Sequence, residues 1–255
     1  MRFDNRRVIV TGAGSGFGAA IAARFNAEGA HVLLTDINAD GMEAVAAQLS
    51  GPGKVSQAIC NVAEEEQVQA VVAQAQAELG GIDVLVNNAG YSHLNKLLWK
   101  ITVEEFDAVF AVNVRGVFLG CKHVIPVMIE QGTGGAIVNI ASIGSVAPRP
   151  GVTPYNGTKG AVLTMTKGLA LECARHQIRV NAVNPVAALT GFMKGATGVD
   201  SADMTDEAKE RLVSTVPLGR LTEPEDVAAA VTYLASDDAR FMTGTAMNID
   251  GGRSI

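Results

Sequence analysis

Residues 8–25 read VIVTGAGSGFGAAIAARF, and this stretch decides the fold. A β-branched run leads into four glycines, at positions 12, 14, 16 and 18, and an alanine-rich segment with helical character follows. Glycine lets the backbone approach a pyrophosphate closely, and the N–H groups and dipole at a helix start favour its negative charge. A tight turn without a ligand does not need so many glycines. The stretch therefore predicts a phosphate-binding loop, with Gly12, Gly16 and Gly18 spaced as TGxxxGxG.

Outward from this loop, short apolar runs alternate with longer alanine-rich segments. We predict helices at 16–29, 39–50, 64–80, 103–129 and about 155–175, and strands at RVIVTG, HVLLTD, KVSQAI, IDVLVNNAG, GAIVNIAS, IRVNAVNP and AMNID. Strands that are apolar on both faces and joined by helices indicate a parallel sheet covered on both sides. We therefore expect an α/β fold, a single doubly wound domain over residues 1–255 with about seven parallel strands. A long irregular region near 186–215 is the predicted substrate loop.

The composition excludes several classes of protein. Of the residues, 48% are hydrophobic and 18% charged, as in a well-buried globular chain. The net charge of −6, without a basic cluster, argues against a nucleic-acid partner. The sequence contains no run of 18 apolar residues, so no membrane span is predicted, and the amino terminus does not resemble a signal peptide. The scattered histidines and the cysteines Cys60, Cys121 and Cys173 lack metal-ligand spacing, so no metal site is predicted; the odd cysteine number fits a reducing cytoplasm.

The stretch TPYNGTKGAV places Tyr155 four residues before Lys159. On a helix, positions four apart lie side by side. A nearby cation favours the phenolate over the phenol, so such a pair is suited to proton transfer. An aromatic residue and a charge on the surface of a helix show the same spacing, and the surrounding motifs must decide between the two interpretations.

Those motifs occur in one order along the chain. They are NNAG at 87–90, Asn113 in VNVRG, Ser142 thirteen residues before Tyr155, NPVAALT after the sixth predicted strand, and DGG near the end. Together with TGxxxGxG and the Tyr155–Lys159 pair, they resemble the short-chain dehydrogenase/reductase family over nearly the full length. The resemblance implies a single Rossmann-type domain, a nicotinamide cofactor across the strand ends, and a homotetramer.

The resemblance also implies catalytic roles. Tyr155 is the expected general acid/base, Lys159 lowers its pKa and holds the ribose hydroxyls, and Ser142 positions the substrate oxygen. Asn113 completes a proton relay through a bound water. Two alternatives stay open at this point: Ser145 stands close to Ser142 in sequence, and Asn113 has the alternative role of bridging backbone inside a helix.

Asp36 ends the second predicted strand, eighteen residues after Gly18. A carboxylate there accepts hydrogen bonds from both adenosine ribose hydroxyls and repels a 2′-phosphate. The glycine loop contains no Lys or Arg, and Ile37 and Asn38 add none, so NAD rather than NADP is predicted. Capping of the following turn is an alternative role for Asp36, and the two roles are compatible.

The resemblance assigns further cofactor contacts across the chain. They are Gly12, Ser15, Gly16, Phe17, Gly18, Ile37, Asn61, Val62, Asn88, Ala89, Gly90, Pro185, Val186, Ala188 and Thr190, besides Asp36, Tyr155 and Lys159.

Two of these positions depart from the family pattern. Asn61 replaces the usual Asp that faces the adenine amino group, and its amide oxygen can still accept that hydrogen bond. Val186 replaces the usual glycine after Pro185, and a valine does not readily take a positive φ, so the loop path is expected to differ locally. Thr190 keeps the family spacing and is expected to bind the carboxamide.

The expected substrate contacts are mostly apolar. By analogy with the family they are His93, Leu94, Val146, Ala147, Val186, Phe192 and Met193. His93 is the one obvious polar candidate, although loop histidines are often merely solvated. No arginine pair is evident as an anion clamp, so we expect a neutral secondary alcohol or its ketone. Arg149 in APRPG is the exception, because it stands close enough to Tyr155 to reach a carboxylate.

Two other functions remain alternatives. A reductase of acyl chains on an acidic carrier protein needs basic docking residues, and MIEQGTGG and LALECAR offer only Arg175. A nucleotide-binding regulator without turnover predicts a broken catalytic set, whereas Ser142, Tyr155 and Lys159 are all present. The sequence therefore favours an NAD-dependent oxidoreductase acting on a small molecule.

Overall fold

The computed structural model describes residues 1–255, apart from the side chain of Ser201. Seven strands form one parallel sheet in the order β3-β2-β1-β4-β5-β6-β7. They are β1 (Arg7–Thr11), β2 (His31–Asp36), β3 (Val55–Ile59), β4 (Val84–Asn87), β5 (Gly135–Ile140), β6 (Ile178–Pro185) and β7 (Ala246–Ile249). The predicted doubly wound α/β fold is confirmed.

Helices cover both faces of this sheet. They are α1 (Gly16–Ala27), α2 (Ala39–Gln48), α3 (Glu65–Leu79), α4 (Val103–Phe110), α5 (Gly116–Gln131), α6 (Thr153–Cys173), α7 (Phe192–Thr197), α8 (Asp206–Val213) and α9 (Pro224–Ala235). The core residues of α1, α2 and α9 pack on one face, and those of α3, α5 and α6 pack on the other.

The alternating direction of the side chains along β1 explains why the strands occur in the sequence as continuous apolar runs. Successive side chains of a strand point to opposite faces of the sheet. Val8 and Val10 therefore pack with Phe25 on the α1 side, while Ile9 packs with Val72 on the α3 side. Both faces are buried along the centre of the strand, so Val8, Ile9 and Val10 are all apolar.

Three helical features differ from the sequence prediction. The predicted helix 103–129 is α4 and α5 joined by a π-helical turn at Ala111–Arg115. The region near 186–215, predicted to be irregular, contains α7 and α8. Helix α9 was not predicted, although Pro224 in its first turn and the capping box formed by Glu223 and Asp226 are start signals.

The continuous helical stretch Val103–Gln131 is long and apolar enough to cross a membrane by length and composition, and 44% of its apolar window is buried in the fold. Core helices of globular proteins share these properties. In this fold the stretch packs against α3, α6 and β4.

The sheet order fixes where a ligand binds. Strand β1 lies between β2 and β4, so the chain winds outward from β1 in one direction and continues from β4 in the other. In open parallel sheets this reversal opens a crevice at the carboxyl ends of the strands, where ligands bind.

Candidate active site

A cavity of about 420 Å³ lies at the carboxyl ends of the strands and has the size of a small-ligand site. Twenty-one of the predicted site residues line it: Gly12, Ser15, Gly16, Phe17, Asp36, Ile37, Asn61, Val62, Asn88, Ala89, Gly90, Ser142, Ala147, Tyr155, Lys159, Pro185, Val186, Ala188, Thr190, Phe192 and Met193. The five others, Gly18, His93, Leu94, Asn113 and Val146, do not belong to its wall.

The glycine loop has a backbone geometry that residues with a side chain rarely adopt. Gly12 and Gly16 have φ values of +64° and +54°, in the left-handed region that favours glycine. A Cβ at Gly18 would overlap the carbonyl oxygen of Gly12. Gly18 therefore allows close packing of the loop and does not line the cavity, unlike the contact predicted for it.

The start of α1 fits a pyrophosphate. Ser15 precedes the helix in an extended conformation, and its side chain makes no capping hydrogen bond in the part of the chain that the structure describes. The first N–H groups of a helix have no partner within it, and they carry the positive end of its dipole. The loop and helix start together suit the phosphates of a dinucleotide.

Asp36 connects the end of β2 to the glycine loop. Its Oδ2 accepts a hydrogen bond from the Gly14 N–H (2.9 Å), and its Oδ1 accepts one from the Asn38 N–H (2.9 Å). Asp36 therefore has the turn-capping role that its position in the sequence also allows. Carboxylate oxygens accept more than one hydrogen bond each, so acceptor capacity remains for a ligand at the cavity wall.

The NNAG segment braces the glycine loop. The Asn88 side chain donates to the carbonyls of Thr11 (2.8 Å) and Gly12 (3.0 Å), and the Asn88 N–H donates to the Thr11 hydroxyl (2.9 Å). Strand β4 thereby fixes the loop that follows β1.

The two departures from the family pattern are accommodated locally. Asn61 Oδ1 accepts a hydrogen bond from the Ala63 N–H (3.1 Å), which leaves a second lone pair on that oxygen. Val186 donates its N–H to the Ile249 carbonyl (3.0 Å) and packs with Ile143. Among the described residues other than glycine, positive φ occurs only at Asn5 and Gln177, so Val186 avoids the conformation that valine disfavours.

Tyr155 lies in the first turn of α6, with its ring centroid 5.6 Å from that of Phe192. Burial raises the pKa of the Tyr155 phenol, while the Ser142 hydroxyl and the Arg149 guanidinium act against this rise. The charge of Arg149 thus favours the phenolate, a role that the sequence does not predict for this residue.

Lys159 follows one helical turn later. Its Nζ lies 5.7 Å from the centroid of the Tyr155 ring and donates to the Ile140 carbonyl (2.8 Å). Burial lowers the pKa of Lys159 to about 8. The predicted lowering of the tyrosine pKa by Lys159 stays a prediction.

Ser142, rather than Ser145, faces the cavity. Ser142 Oγ accepts a hydrogen bond from the Gly144 N–H (3.1 Å), and Ser142 lines the same wall as Tyr155. The Ser145 hydroxyl donates to the Ser142 carbonyl (2.5 Å) and to Asn184 Oδ1 (3.4 Å), outside the cavity wall.

Asn113 is fully buried in the π-helical turn and bridges three parts of the fold. Its Oδ1 accepts a hydrogen bond from the Tyr91 N–H (2.8 Å), and its Nδ2 donates to the Tyr91 carbonyl (2.9 Å) and the Thr158 hydroxyl (3.0 Å). Thr158 in turn donates to the Tyr155 carbonyl (2.6 Å). Asn113 therefore fixes the start of α6 against the loop after β4, and the proton relay through it stays a prediction.

Three predicted substrate contacts, His93, Leu94 and Val146, lie outside the cavity wall. His93 is only 2% exposed, its Nδ1 is hydrogen-bonded with the Leu94 carbonyl (2.7 Å), and its Nε2 has no partner among the described residues. It is neither solvated nor part of the cavity wall. Val146 is 51% exposed and does not belong to the cavity wall, although its neighbour Ala147 does. Leu94 is likewise exposed and lies outside the wall.

The structure also adds cavity residues that the sequence did not indicate, among them Leu212, Thr215 and Arg253. Arg149 and Arg253 line the same cavity, although the sequence shows no evident arginine pair. Arg253 stands in the turn after β7, far from Arg149 in sequence, and no local pattern indicates that both line one cavity.

Comparison with known proteins places the chain in a family. Residues 12–254 match the family model described as enoyl-(acyl carrier protein) reductase. The 4-formylbenzenesulfonate dehydrogenase of Comamonas testosteroni is 45% identical, and a 3-oxoacyl-[acyl-carrier-protein] reductase of Thermotoga maritima is 39% identical, each with 100% of both chains covered.

Two solved structures of reductases superpose closely on this chain. The 3-ketoacyl-(acyl-carrier-protein) reductase of Brucella melitensis complexed with NADH superposes with a TM-score of 0.92 at 38% identity, covering 99% of this chain and 100% of that one. Levodione reductase superposes with a TM-score of 0.93 at 36% identity, covering 99% of both chains. The chain belongs to the short-chain dehydrogenase/reductase family and is an oxidoreductase.

Proposed function

We propose that this oxidoreductase interconverts a secondary alcohol and its ketone with NAD as cofactor. The observation that carries the proposal is one cavity wall that combines the glycine loop with Ser142, Tyr155 and Lys159. Bound there, a nicotinamide cofactor accepts or supplies the hydride. The glycine loop and the start of α1 hold its phosphates.

The side chains of this chain handle the proton. Ser142 positions the substrate oxygen, and in alcohol oxidation Tyr155 accepts the hydroxyl proton as general base. In ketone reduction Tyr155 returns that proton to the oxygen. Lys159 holds the ribose hydroxyls, with its Nζ anchored by the Ile140 carbonyl (2.8 Å).

NAD rather than NADP is supported by the charges around the cavity. The described wall contains three cationic side chains, Arg149, Lys159 and Arg253, and all three follow β5 in the sequence. None of them lies in the segments proposed to bind the adenosine half, where Asp36 stands. A 2′-phosphate at Asp36 would face a like charge without a compensating cation. The relative from Brucella melitensis was solved with NADH.

The test is a panel of secondary alcohols and their ketones, assayed by the absorbance of the reduced nicotinamide with NAD and NADP in parallel. We expect turnover with NAD. Turnover that persists in a double variant, Ser142→Ala with Tyr155→Phe, would contradict the proposed site.

Reduction of carrier-bound 3-oxoacyl chains is a second candidate, because the Thermotoga maritima relative carries that name. Arg175, the basic residue available for docking, donates to its neighbour His176 (2.9 Å) and does not line the cavity. A kcat/KM for a 3-oxoacyl carrier protein far above that for every small ketone would establish this function instead. Homotetrameric assembly and a cytoplasmic location stay predictions.

A further inference from the structure

The substrate side of the cavity carries two arginines. Arg149 stands on the loop between β5 and α6, and Arg253 stands in the turn after β7. Both are partly buried and line the wall that also contains Tyr155. Neither forms an ion pair with a carboxylate in the part of the chain that the structure describes.

The acidic side chain closest to Arg253 in sequence is engaged elsewhere. Asp250 accepts hydrogen bonds from the N–H groups of Gly252 (3.1 Å) and Ser254 (2.9 Å), so it stabilises the turn that carries Arg253. The Arg253 guanidinium itself donates to the Thr215 carbonyl, at a long 3.4 Å. The fold thus holds Arg253 at the cavity without neutralising it.

The two guanidinium groups also act on each other. Burial lowers the pKa of Arg149, the negative form of Tyr155 raises it, and the charge of Arg253 lowers it again. Like charges in a partly desolvated place are unfavourable unless an anion lies between or beside them. An anionic ligand would relieve this repulsion.

The cofactor phosphates are not that anion. The glycine loop and the start of α1 provide for them, and Thr190 borders that loop, since a Cβ at Gly16 would lie 3.4 Å from the Thr190 Cβ. The wall that contains the two arginines also has apolar side chains, among them Ala147, Val186, Met193 and Leu212. Such a wall suits a ligand with an apolar body and one charged end.

We propose that the substrate is an alcohol or ketone whose apolar body carries an oxyanion, a carboxylate or a sulfonate, and that Arg149 and Arg253 bind this oxyanion. The inference rests on the proposed function, because it takes the Tyr155 side of the cavity as the place of reaction. It replaces the neutral substrate expected from the sequence. The planar guanidinium offers two parallel donors that match two oxygens of either anion.

The test compares four substrates of one shape with NAD: 1-phenylethanol, its 4-carboxamide, its 4-carboxylate and its 4-sulfonate. We expect kcat/KM for the two anions to exceed that for the two neutral compounds by about tenfold or more. Arg253→Ala should reduce this preference by roughly 10- to 100-fold, mainly through KM, because a hydrogen bond to a charged group is lost. Arg253→Lys should keep part of the preference.

Arg240→Ala is the matched control. Arg240 is exposed, lies outside the cavity wall and forms no ion pair among the described residues, so its replacement changes the net charge alone. The preference for anions should survive in this variant. Arg253 is more informative than Arg149 for the main test, because Arg149 also acts on the Tyr155 phenol.

Two results would overturn the inference while the proposed function stands: equal kcat/KM for neutral and anionic substrates, or a preference that survives Arg253→Ala. If none of the four is turned over, the melting temperature of the NAD-loaded protein decides. A rise with 4-acetylbenzoate but not with 4-acetylbenzamide, lost in Arg253→Ala, supports the anion site independently of the reaction. Equal shifts with both compounds overturn it.

Discussion

The acidity of one phenol depends on neighbours that come from different parts of the chain. Burial alone would keep Tyr155 protonated, and Ser142 and Arg149 act against it. Lys159, one helical turn away, is anchored by a backbone carbonyl. The sequence spacing indicates that the tyrosine and lysine share a helix face, but it contains no information about the loop arginine.

Replacing Tyr155 by Phe removes only the hydroxyl. We expect kcat to fall by about 10²- to 10⁴-fold, the usual contribution of a general acid/base, while the Kd for NAD changes by no more than a few-fold. Steady-state kinetics and titration of cofactor binding measure the two effects. A variant that keeps more than a tenth of the wild-type kcat would require another proton acceptor.

Arg149→Ala should move the pH profile of alcohol oxidation. A cation stabilises the phenolate, so its removal raises the pKa of Tyr155, and the rise of kcat/KM with pH is expected to shift to higher pH. The profile is measured with neutral 1-phenylethanol, so that loss of anion binding does not contribute. An unchanged or lower inflection would show that Arg149 does not act on the phenol.

Some individual residues were predictable and others were not. Gly12, Asp36, Ser142 and Tyr155 occur at fixed positions relative to predicted strands and helices, and all of them line the cavity. Arg253 reaches the cavity only because the turn after β7 packs against the segment after α8. His93 is buried for a similar tertiary reason, and no spacing within its loop indicates this.

At the level of elements, the end of β2 and the glycine loop behave as one unit. Asp36 accepts the Gly14 N–H, and a Cβ at Gly14 would lie 3.1 Å from the Asp36 Cγ. The carboxylate therefore has a fixed place beside the loop. The preference between NAD and NADP should therefore depend on the position in which the loop holds the carboxylate, and not only on the presence of Asp36.

Asp36→Ala combined with Ile37→Arg should reverse or narrow the preference for NAD. The wild-type kcat/KM should favour NAD over NADP by about 100-fold or more, because a like charge next to the 2′-phosphate costs several kcal/mol. Kinetics with both cofactors check this. Equal efficiencies in the wild type would refute the role of Asp36. Because Asp36 also braces Gly14, the melting temperature of the variant serves as a control for loop damage.

Elements with strong periodicity were predictable, and short or irregular ones were not. The strand runs around β1, β4 and β5 were identified because both of their faces are buried. The π-helical turn follows from tertiary packing of Asn113 against Tyr91 and Thr158, which periodicity does not report. Helices α7 and α8 are short, so their apolar residues give little periodic signal.

Over the whole molecule, the amino ends of the strands carry the stabilising charges and the carboxyl ends carry the chemistry. Asp83 accepts three hydrogen bonds from Arg7: from its N–H (2.8 Å), its Nε (2.8 Å) and its Nη2 (2.7 Å). The pair connects the starts of β1 and β4, at the opposite end of these strands from the cavity. Burial raises the pKa of Asp83, but Arg7 outweighs it, so the pKa is lowered overall.

Asp83→Asn should therefore reduce stability without altering the site. The pKa of Asp83 in the folded protein lies below its value in the unfolded chain, which is about 4. The stabilisation from the Asp83–Arg7 pair is therefore complete above about pH 4 and is lost as the pH falls through the folded pKa. At pH 7 the variant should lose about 1.5–3 kcal/mol, the usual contribution of a hydrogen bond to a charged group, because Arg7 is partly exposed. Denaturant unfolding at several pH values measures this. A constant difference between the two proteins down to the lowest pH would contradict the linkage.

The sheet order has an evolutionary consequence. The cavity residues proposed to hold the adenosine half of a dinucleotide all precede β5, whereas Ser142, Arg149, Tyr155 and Arg253 follow it. The two parts join through main-chain pairing of β4 with β5, through buried hydrogen bonds such as those from Asn87 to Asn139 (2.9 Å) and from Asn113 to Thr158 (3.0 Å), and through packing of α1 against α9. Genetic recombination between β4 and β5 of two relatives that share these contacts would preserve the joint. The offspring would inherit its cofactor from one parent and its range of substrates from the other.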